Sequence, residues 1–474
     1  MMLEYFKDLS EKEINLFGKF VRSPYFNSSK SIIKLFNYLR EAYPEISEDY
    51  ISKKNLSINI YSEENVNDPK IRKLISNFLI LMEKLLTQIE ADKDVIGKKI
   101  AFLNSMHNRK FDKKIGMNLK ELYNIQDKTF SKDDIYYNNR INLEDLYYRY
   151  NEDKYKTEFV ENLQSKSDHI DYYFMFLKLH CFRDMNIYKT VKKKEFVMTF
   201  RDEVISNIEK NKKSISSNHP NLYIIYLVTM MESEMGDIYQ NILLDYLKKN
   251  SAKFENEKLQ YYYNYVRTNY IRKINLGMSE YRKDAFDLLK ILEKKNLILS
   301  EKTISDSDYN SAVNIALSLK EYEWVEQFIE NYRQYMAPEV LDDAYNLAKA
   351  KLFYHRKKYQ NIFTYLNMIK FKIPYYYMHS KFLLGRVYFE MNNIESSKYI
   401  IDNLKQYLRV KNTLSPVEAS VIKLFNKYLY ELIKISETTP SQRSMSKFIL
   451  KKTLDNEKFV VPDKKWFYEK LSKM

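Results

Sequence analysis

Residues 381–404 read KFLLGRVYFEMNNIESSKYIIDNL, and this stretch decides the fold. Apolar residues recur every three or four positions on both sides of residues 391–393, which predicts two amphipathic helices joined by a short polar turn. Gly385 lies inside the first helix, although the chain has only 6 glycines in 474 residues. Glycine costs a helix roughly 1 kcal/mol relative to alanine. We therefore expect Gly385 to permit a close approach of antiparallel helices that a side chain would push apart.

The same helix–turn–helix pattern occurs three times between residues 306 and 408. The three units begin at Asn310, Ala344 and His379. The turns hold Tyr322, Tyr359 and Ile394, which are 37 and 35 residues apart. A period of this length with two helices per unit is typical of a stacked helical solenoid.

The third unit resembles the tetratricopeptide repeat. Its matching residues are Leu384, Gly385 and Tyr388 in the first helix and Ser397, Ile401 and Leu404 in the second. The resemblance covers about 306–408 and extends to a helix at 416–435. It implies an α-solenoid whose first helices line a concave groove, and in this family such a groove takes an extended or helical peptide.

Alignment of the three units carries the family's groove positions onto this chain. The candidate partner-binding residues are Asn310, Asn314, Lys351, Tyr354, His355, Arg386 and Phe389. Amide, ammonium and guanidinium donors at matching positions could hold the carboxylate or backbone of a peptide. The alternative is that these side chains are only solvated surface residues.

The whole chain has the composition of an all-α protein. Gly (6) and Pro (9), which punctuate tight turns and strands, are scarce, and no segment alternates apolar and polar residues. Ser10 with Glu13, and Ser415 with Glu418, have the spacing of a helix capping box. We predict an elongated α-solenoid with four parts: an N-terminal helical module at 1–100, irregular hairpins at 101–300, tetratricopeptide-like repeats at 301–435 and a basic cap at 436–474. Trp466, Phe467 and Leu471 are suited to cover the last repeat.

The formal net charge is +15, and most of the excess lies near the C-terminus. Residues 351–474 carry 24 basic and 10 acidic side chains. A basic end segment can meet an anionic partner. Nucleic-acid binding through Arg443, Lys447, Lys451 and Lys452 is therefore an alternative function, next to the simpler reading of a solvated lysine-rich surface.

A second route to nucleic-acid binding lies near the N-terminus. Residues 68–86 loosely resemble the recognition helix of a winged-helix regulator, with Lys70, Arg72 and Lys73 at the helix start. Two features argue against it. The helix becomes apolar on every side by Phe78, and no alternating hairpin follows that could form a wing.

The sequence gives no reason to propose an enzyme. No H-E-x-x-H, G-x-x-x-x-G-K or G-x-S-x-G spacing occurs, and the neighbours His180 and Cys181 point about 100° apart on a helix and cannot share a metal. We expect no catalytic residues, no cofactor and no metal site. The N-terminus lacks a signal-peptide pattern and no apolar run is long enough to span a membrane, so we expect a cytoplasmic protein. The leading hypothesis is a non-catalytic scaffold or adaptor that binds another protein in its groove.

Overall fold

The computed structural model describes residues 2–65, 67–111, 114–155, 161–192, 194–233, 235–300, 302–371, 373–410, 414–457 and 461–474. Over these residues the chain forms 24 α-helices and no β-strand. The prediction of an all-α fold is confirmed.

The helices follow one another with short connections. The first twelve are α1 (Met2–Asp8), α2 (Glu11–Arg22), α3 (Lys30–Glu41), α4 (Lys53–Leu56), α5 (Asp68–Lys93), α6 (Val95–Asn108), α7 (Ile115–Lys128), α8 (Asp134–Tyr155), α9 (Glu161–Lys192), α10 (Arg201–Lys210), α11 (Lys212–Asn218) and α12 (Pro220–Met230). The second twelve are α13 (Gly236–Asn250), α14 (Asn256–Asn275), α15 (Tyr281–Lys294), α16 (Asp306–Ser318), α17 (Tyr322–Tyr332), α18 (Pro338–His355), α19 (Tyr359–Leu366), α20 (Pro374–Glu390), α21 (Ile394–Val410), α22 (Pro416–Glu437), α23 (Pro440–Asp455) and α24 (Lys464–Lys473). Both predicted capping boxes are present, at the starts of α2 and α22.

The chain divides into two compact units, Met1–Tyr226 and Leu227–Met474. In the N-terminal unit, α1, α2, α3 and α5 enclose an aromatic core. The rings of Phe17 and Phe36 meet edge to face at 5.6 Å, and Phe78 lies 5.2 Å from Phe17. A second core, built from leucines and isoleucines, joins α6, α7 and α8. These cores use the apolar stripes of their helices, as amphipathic helices of a globular unit do.

In the C-terminal unit, the three predicted helix–turn–helix units are present as the hairpins α16/α17, α18/α19 and α20/α21. The turn residues Tyr322, Tyr359 and Ile394 are each the first residue of a second helix. Each first helix also contacts the next one, in the order α16, α18, α20 and α22. The hairpins therefore pack on their neighbours in chain order.

The three turns share one backbone conformation. Lys320, Lys357 and Asn392 all have positive φ angles, of 64°, 57° and 57°. In each turn the next residue's amide donates to the carbonyl five residues earlier, as Glu321 does to Ala316. This is the Schellman motif, which usually places glycine in the left-handed position. The chain forms the motif here without glycine, which reconciles compact hairpins with its glycine-poor composition.

Gly385 lies at a close contact, as the sequence predicts, but its neighbour is a different helix. A Cβ atom at this position would lie 2.9 Å from Leu429 Cδ2 and 3.4 Å from the ring of Phe425, both on α22. Toward α21, the expected neighbour, the carbonyl of Gly385 accepts a hydrogen bond of 3.3 Å from Ser397 Oγ. The missing side chain therefore makes room chiefly for the following first helix.

One apolar cluster joins α20, α21 and α22 with α23 and α24. Trp466, Phe467 and Leu471 are all buried in it, and Phe467 contacts the rings of Phe425 and Tyr428. The C-terminal segment thus shares its core with the helices of the third hairpin.

Candidate partner-binding site

The seven candidate groove residues lie on the first helices α16, α18 and α20. Asn310 is buried on α16, where its side chain donates to the carbonyl of Asp306 at 2.8 Å and contacts the Tyr376 hydroxyl at 3.4 Å. Asn310 thus supports helix packing. Asn314, one turn further, is exposed. Of these two residues, only Asn314 is open to a partner.

Lys351 and Asn314 are brought together from neighbouring first helices. The Lys351 ammonium donates to Asn314 Oδ1 at 3.0 Å, and the residue is only 8% exposed. Burial lowers the pKa of Lys351 to about 8; the carboxylate of Asp463 opposes this shift and the Arg386 guanidinium adds to it. A buried ammonium with one amide partner attracts anions strongly, because little water screens its charge.

Arg386 is held by two groups of the same unit. Its Nη1 donates to Asp463 Oδ1 at 2.9 Å, and its guanidinium lies 4.6 Å from the centroid of the Tyr354 ring. Its Nε is buried without a hydrogen-bond partner. Asp463 precedes α24, so the C-terminal segment supplies the carboxylate that this arginine binds.

Glu390, at the end of α20, joins the first helices to the C-terminal helix. Its carboxylate accepts hydrogen bonds from the Tyr354 hydroxyl at 2.7 Å, from Trp466 Nε1 at 2.6 Å and from the Lys470 ammonium at 2.8 Å. The Tyr359 hydroxyl is a fourth donor. Burial raises the pKa of Glu390, but the hydrogen bonds lower it by a larger amount, so that its pKa is about 2. The carboxylate is therefore ionised at neutral pH and fixes its neighbours.

Phe389 is covered by the C-terminal helix, whereas His355 is exposed. The ring of Phe389 packs edge to face against Trp466 at 5.7 Å, so the C-terminal helix covers this candidate position. His355 is exposed on one side and lies near Tyr322 and Tyr354. Desolvation by the surrounding protein lowers its pKa, Arg386 lowers it further, and Asp463 raises it. His355 is thus an uncharged, accessible hydrogen-bonding group at neutral pH.

Contacts join five of the seven candidates in two groups, Asn314 with Lys351 and Tyr354 with His355 and Arg386, and the Arg386 guanidinium is near enough to lower the pKa of Lys351. We call these five residues the clamp face; Asp463 is bound to it through Arg386. Sequence reasoning missed Glu390 and Asp463. Their partners are up to 80 residues distant along the chain, and no local spacing marks them.

The candidate basic residues of α23 differ in availability. The Arg443 guanidinium donates to the carbonyls of Ser436 at 3.3 Å and Thr438 at 2.9 Å, near the end of α22. Lys447 is half-buried, whereas Lys451 and Lys452 are exposed. Three large apolar side chains, Met445, Phe448 and Ile449, are also exposed on this helix, at 64%, 63% and 53%.

The start of α5 does not have a winged-helix environment. Lys70 pairs with Glu63 at 2.5 Å, and Arg72 pairs with Asp68 at 2.6 Å. Lys73 is exposed. The described residues on both sides of α5 are helical or irregular, so they contain no wing hairpin.

Two further kinds of feature are absent from the described residues. No group of three or more histidine, cysteine, aspartate or glutamate side chains in that part of the chain is arranged to hold a metal ion. No helix there combines the length and the apolarity that crossing a bilayer requires. Comparison with family models, with curated proteins and with solved structures finds no match to this chain.

Proposed function

We propose that this protein is a non-catalytic scaffold that binds a carboxylate-bearing segment of another protein on the clamp face. The observation that carries this proposal is the pair formed by Arg386 and Asp463, 2.9 Å apart, with the Lys351 ammonium close enough for Asp463 to affect its pKa. The face already binds a carboxylate, and this carboxylate comes from the protein's own C-terminal segment. A partner's carboxylate would take its place.

The proposed fold behind this function is a tetratricopeptide-like solenoid. Its support is the order of helix contacts, in which each hairpin packs on the next and the first helices α16, α18 and α20 are neighbours. In such an arrangement the first helices share one face. Cations on that face can hold a peptide carboxylate through charge-assisted hydrogen bonds, which are the stronger class of hydrogen bond.

The experiment removes the internal carboxylate without changing its shape. Asn is well suited to the left-handed conformation of Asp463, which has a φ angle of 53°, so Asp463→Asn keeps the backbone. Acidic peptides with a free C-terminus are titrated against the full chain and followed by fluorescence anisotropy. We expect Asp463→Asn to bind them about tenfold more tightly than the wild type, because no internal carboxylate competes. Asp402→Asn, an exposed change on α21, is the matched control.

Two results would contradict the proposal. One is that an acidic peptide with a free C-terminus binds no more tightly than a matched peptide that has no carboxylate, in which the C-terminus is amidated and the acidic side chains are replaced. The other is unchanged affinity in Asp463→Asn. Adding Arg386→Gln to the Asp463→Asn variant is expected to abolish the gain, since the guanidinium is the proposed ligand of the carboxylate.

Nucleic-acid binding by α23 is the second candidate. The observation in its favour is that Lys451 and Lys452 are exposed on the same helix as Phe448, whose ring could stack on a base. Electrophoretic retardation of random DNA and RNA would test it. Binding that weakens steeply with salt and is lost in Lys451→Glu/Lys452→Glu would support this candidate.

A further inference from the structure

Helix α9 exposes one seam of side chains with coiled-coil spacing. The seam consists of Leu163, Ser167, Ile170, Phe174, Leu177, Cys181, Asp184 and Tyr188, with alternating steps of four and three residues. Its large apolar members Leu163, Ile170, Phe174, Leu177 and Tyr188 are 43–48% exposed. Cys181 is exposed as well. A repeat of this spacing is the pattern of the a and d positions of a coiled coil.

The core of the N-terminal unit uses the opposite side of α9. Met175, Leu179 and Phe182 are buried at 5%, 0% and 0% exposure. Next to this buried side, the ring of Phe176 lies 6.0 Å from that of Tyr137 on α8, the helix with which α9 makes its most extensive contact. The seam is therefore a second apolar stripe on a helix whose first stripe is already buried.

The seam of one copy is complementary to the seam of a second copy that runs in the opposite direction. An antiparallel second copy centred between Phe174 and Leu177 places Phe174 against Leu177 and Ile170 against Cys181. The same register places the two polar members, Ser167 and Asp184, against each other and Leu163 against Tyr188. Apolar residues thus meet apolar residues along the seam, and the polar pair is matched.

Charges beside the seam agree with the same register. Asp171 and Lys178 follow the seam positions Ile170 and Leu177 by one residue, so both lie on the same edge of the seam. In the antiparallel register Asp171 of one copy faces Lys178 of the other, and two-fold symmetry forms this pair twice. Asp171 is exposed, and Lys178 is half-buried. Opposite charges at such flanking positions set the orientation of paired helices.

A parallel pairing fits less well. It would place Asp184 of one copy against Asp184 of the other within the seam, and like charges at a shared buried position repel. We propose that two copies of this protein associate through α9 as an antiparallel helix pair. This surface lies in the N-terminal unit and is separate from the clamp face.

The first test measures association of the full chain. Sedimentation equilibrium is expected to find a dimer for the wild type and a monomer for Phe174→Glu, since a carboxylate would then enter the apolar centre of the seam. Phe448→Glu, which changes a more exposed ring on α23, is the control and is expected to remain dimeric. A wild type that stays monomeric at about 100 µM, the range of weak association, would overturn the proposal.

The second test reads the direction of pairing from disulfide formation. Ile170→Cys adds a thiol that faces the native Cys181 of the second copy in the antiparallel register. Within one copy the two positions lie about 16 Å apart along the helix, too far for an internal disulfide. Under mild oxidation Ile170→Cys is expected to give a covalent dimer, whereas the wild type, with Cys181 alone, is expected to remain uncross-linked. Rapid cross-linking of the wild type would instead indicate parallel pairing and refute the register.

A charge exchange separates the proposed contact from a loss of folding. Lys178→Asp and Asp171→Lys each place like charges opposite one another and are expected to weaken the dimer, by about fivefold or more at low salt. The double variant restores opposite charges and is expected to recover the wild-type affinity. Single and double variants that are equally weak would show that these side chains do not pair. Circular dichroism of every variant verifies that the helices are retained.

Discussion

At the scale of single residues, Glu390 has more hydrogen-bond partners among the described residues than any candidate site residue predicted from the sequence. Its carboxylate gathers hydrogen bonds from Tyr354, Tyr359, Trp466 and Lys470, which come from three other helices. Each donor satisfies part of a buried charge that would be costly without partners. The sequence could not predict this cluster, because the four donors lie 31 to 80 residues from Glu390 along the chain and glutamate is common on helix surfaces.

The low pKa of Glu390 predicts a particular dependence of stability on acid. The folded-state pKa, about 2, is below the ordinary value of 4.5. The stabilisation is therefore fully present above pH 4.5 and is lost as the pH falls toward 2. Between pH 5.5 and pH 3 we expect the free energy of unfolding of the wild type to fall by about 2 kcal/mol more than that of Glu390→Gln.

Urea denaturation at a series of pH values would measure this difference. Glu395→Gln is the control, because Glu395 is 86% exposed and pairs only with Lys398 in the contacts described. Its acid dependence is expected to match the wild type. Parallel curves for the wild type and Glu390→Gln would contradict the role of this carboxylate.

The substitution Gly385→Ala changes the free energy of unfolding through two opposing effects, helix propensity and overpacking, and the sign of the change shows which of them is larger. Helix propensity alone would make Gly385→Ala more stable by roughly 1 kcal/mol. The added Cβ, however, would lie 2.9 Å from Leu429 Cδ2 in a packed core, and overpacking costs about 1–3 kcal/mol. We expect a net loss of about 1 kcal/mol in the free energy of unfolding, measured by urea denaturation, and a smaller loss in a Leu429→Ala background. A stabilised Gly385→Ala protein would show that α22 moves aside freely.

At the scale of elements, hydrophobic periodicity predicted the helices and the hairpins well. Both capping boxes were predictable, because they depend on neighbouring residues. Tyr322, Tyr359 and Ile394 were predicted to lie in the turns, and they are instead the first residues of the helices that follow. The neighbours of these helices were harder to predict. Gly385 meets α22 rather than α21 as its closest contact, and Asn310 turns inward. Packing between elements is set by tertiary contacts that a local pattern does not encode.

Helix α23 has both a buried and an exposed large apolar side chain, so the contributions of the two to stability can be compared within one helix. Phe448 is 63% exposed, whereas Leu454 is fully buried in the apolar cluster with α24. We expect Leu454→Ala to lower the free energy of unfolding by about 2–5 kcal/mol, since it leaves a cavity. We expect Phe448→Ala to change it by less than about 0.5 kcal/mol. Thermal and urea denaturation of the two variants would measure this contrast, and a large loss in Phe448→Ala would mean that the exposed stripe is covered.

At the scale of the whole molecule, composition predicted the fold class because scarce glycine and proline leave helices as the simplest solution. The four-part division at residues 100, 300 and 435 stays a prediction. The structure groups the chain into two compact units. It also places Trp466 and Phe467, beyond residue 435, in one core with Phe425. Composition and charge change along a chain without regard to which residues share a core, and this is why segment boundaries are harder to predict than helices.

Because the two units have separate cores, a cavity in one core is expected to accelerate amide hydrogen exchange in the helices of that unit. Phe17 is fully buried in the aromatic core of the N-terminal unit, and Phe17→Ala removes about 3–5 kcal/mol of packing. Native-state hydrogen exchange, resolved by peptide, would detect the loss as faster exchange. We expect it in slowly exchanging amides of α2, α3 and α5, because local stability follows the core that each helix builds. Phe425→Ala is the matched change in the C-terminal unit and is expected to accelerate exchange in α20 and α22 instead. If both variants accelerated the same amides, the two cores would belong to one cooperative unit, and the division at Tyr226 would have no energetic meaning.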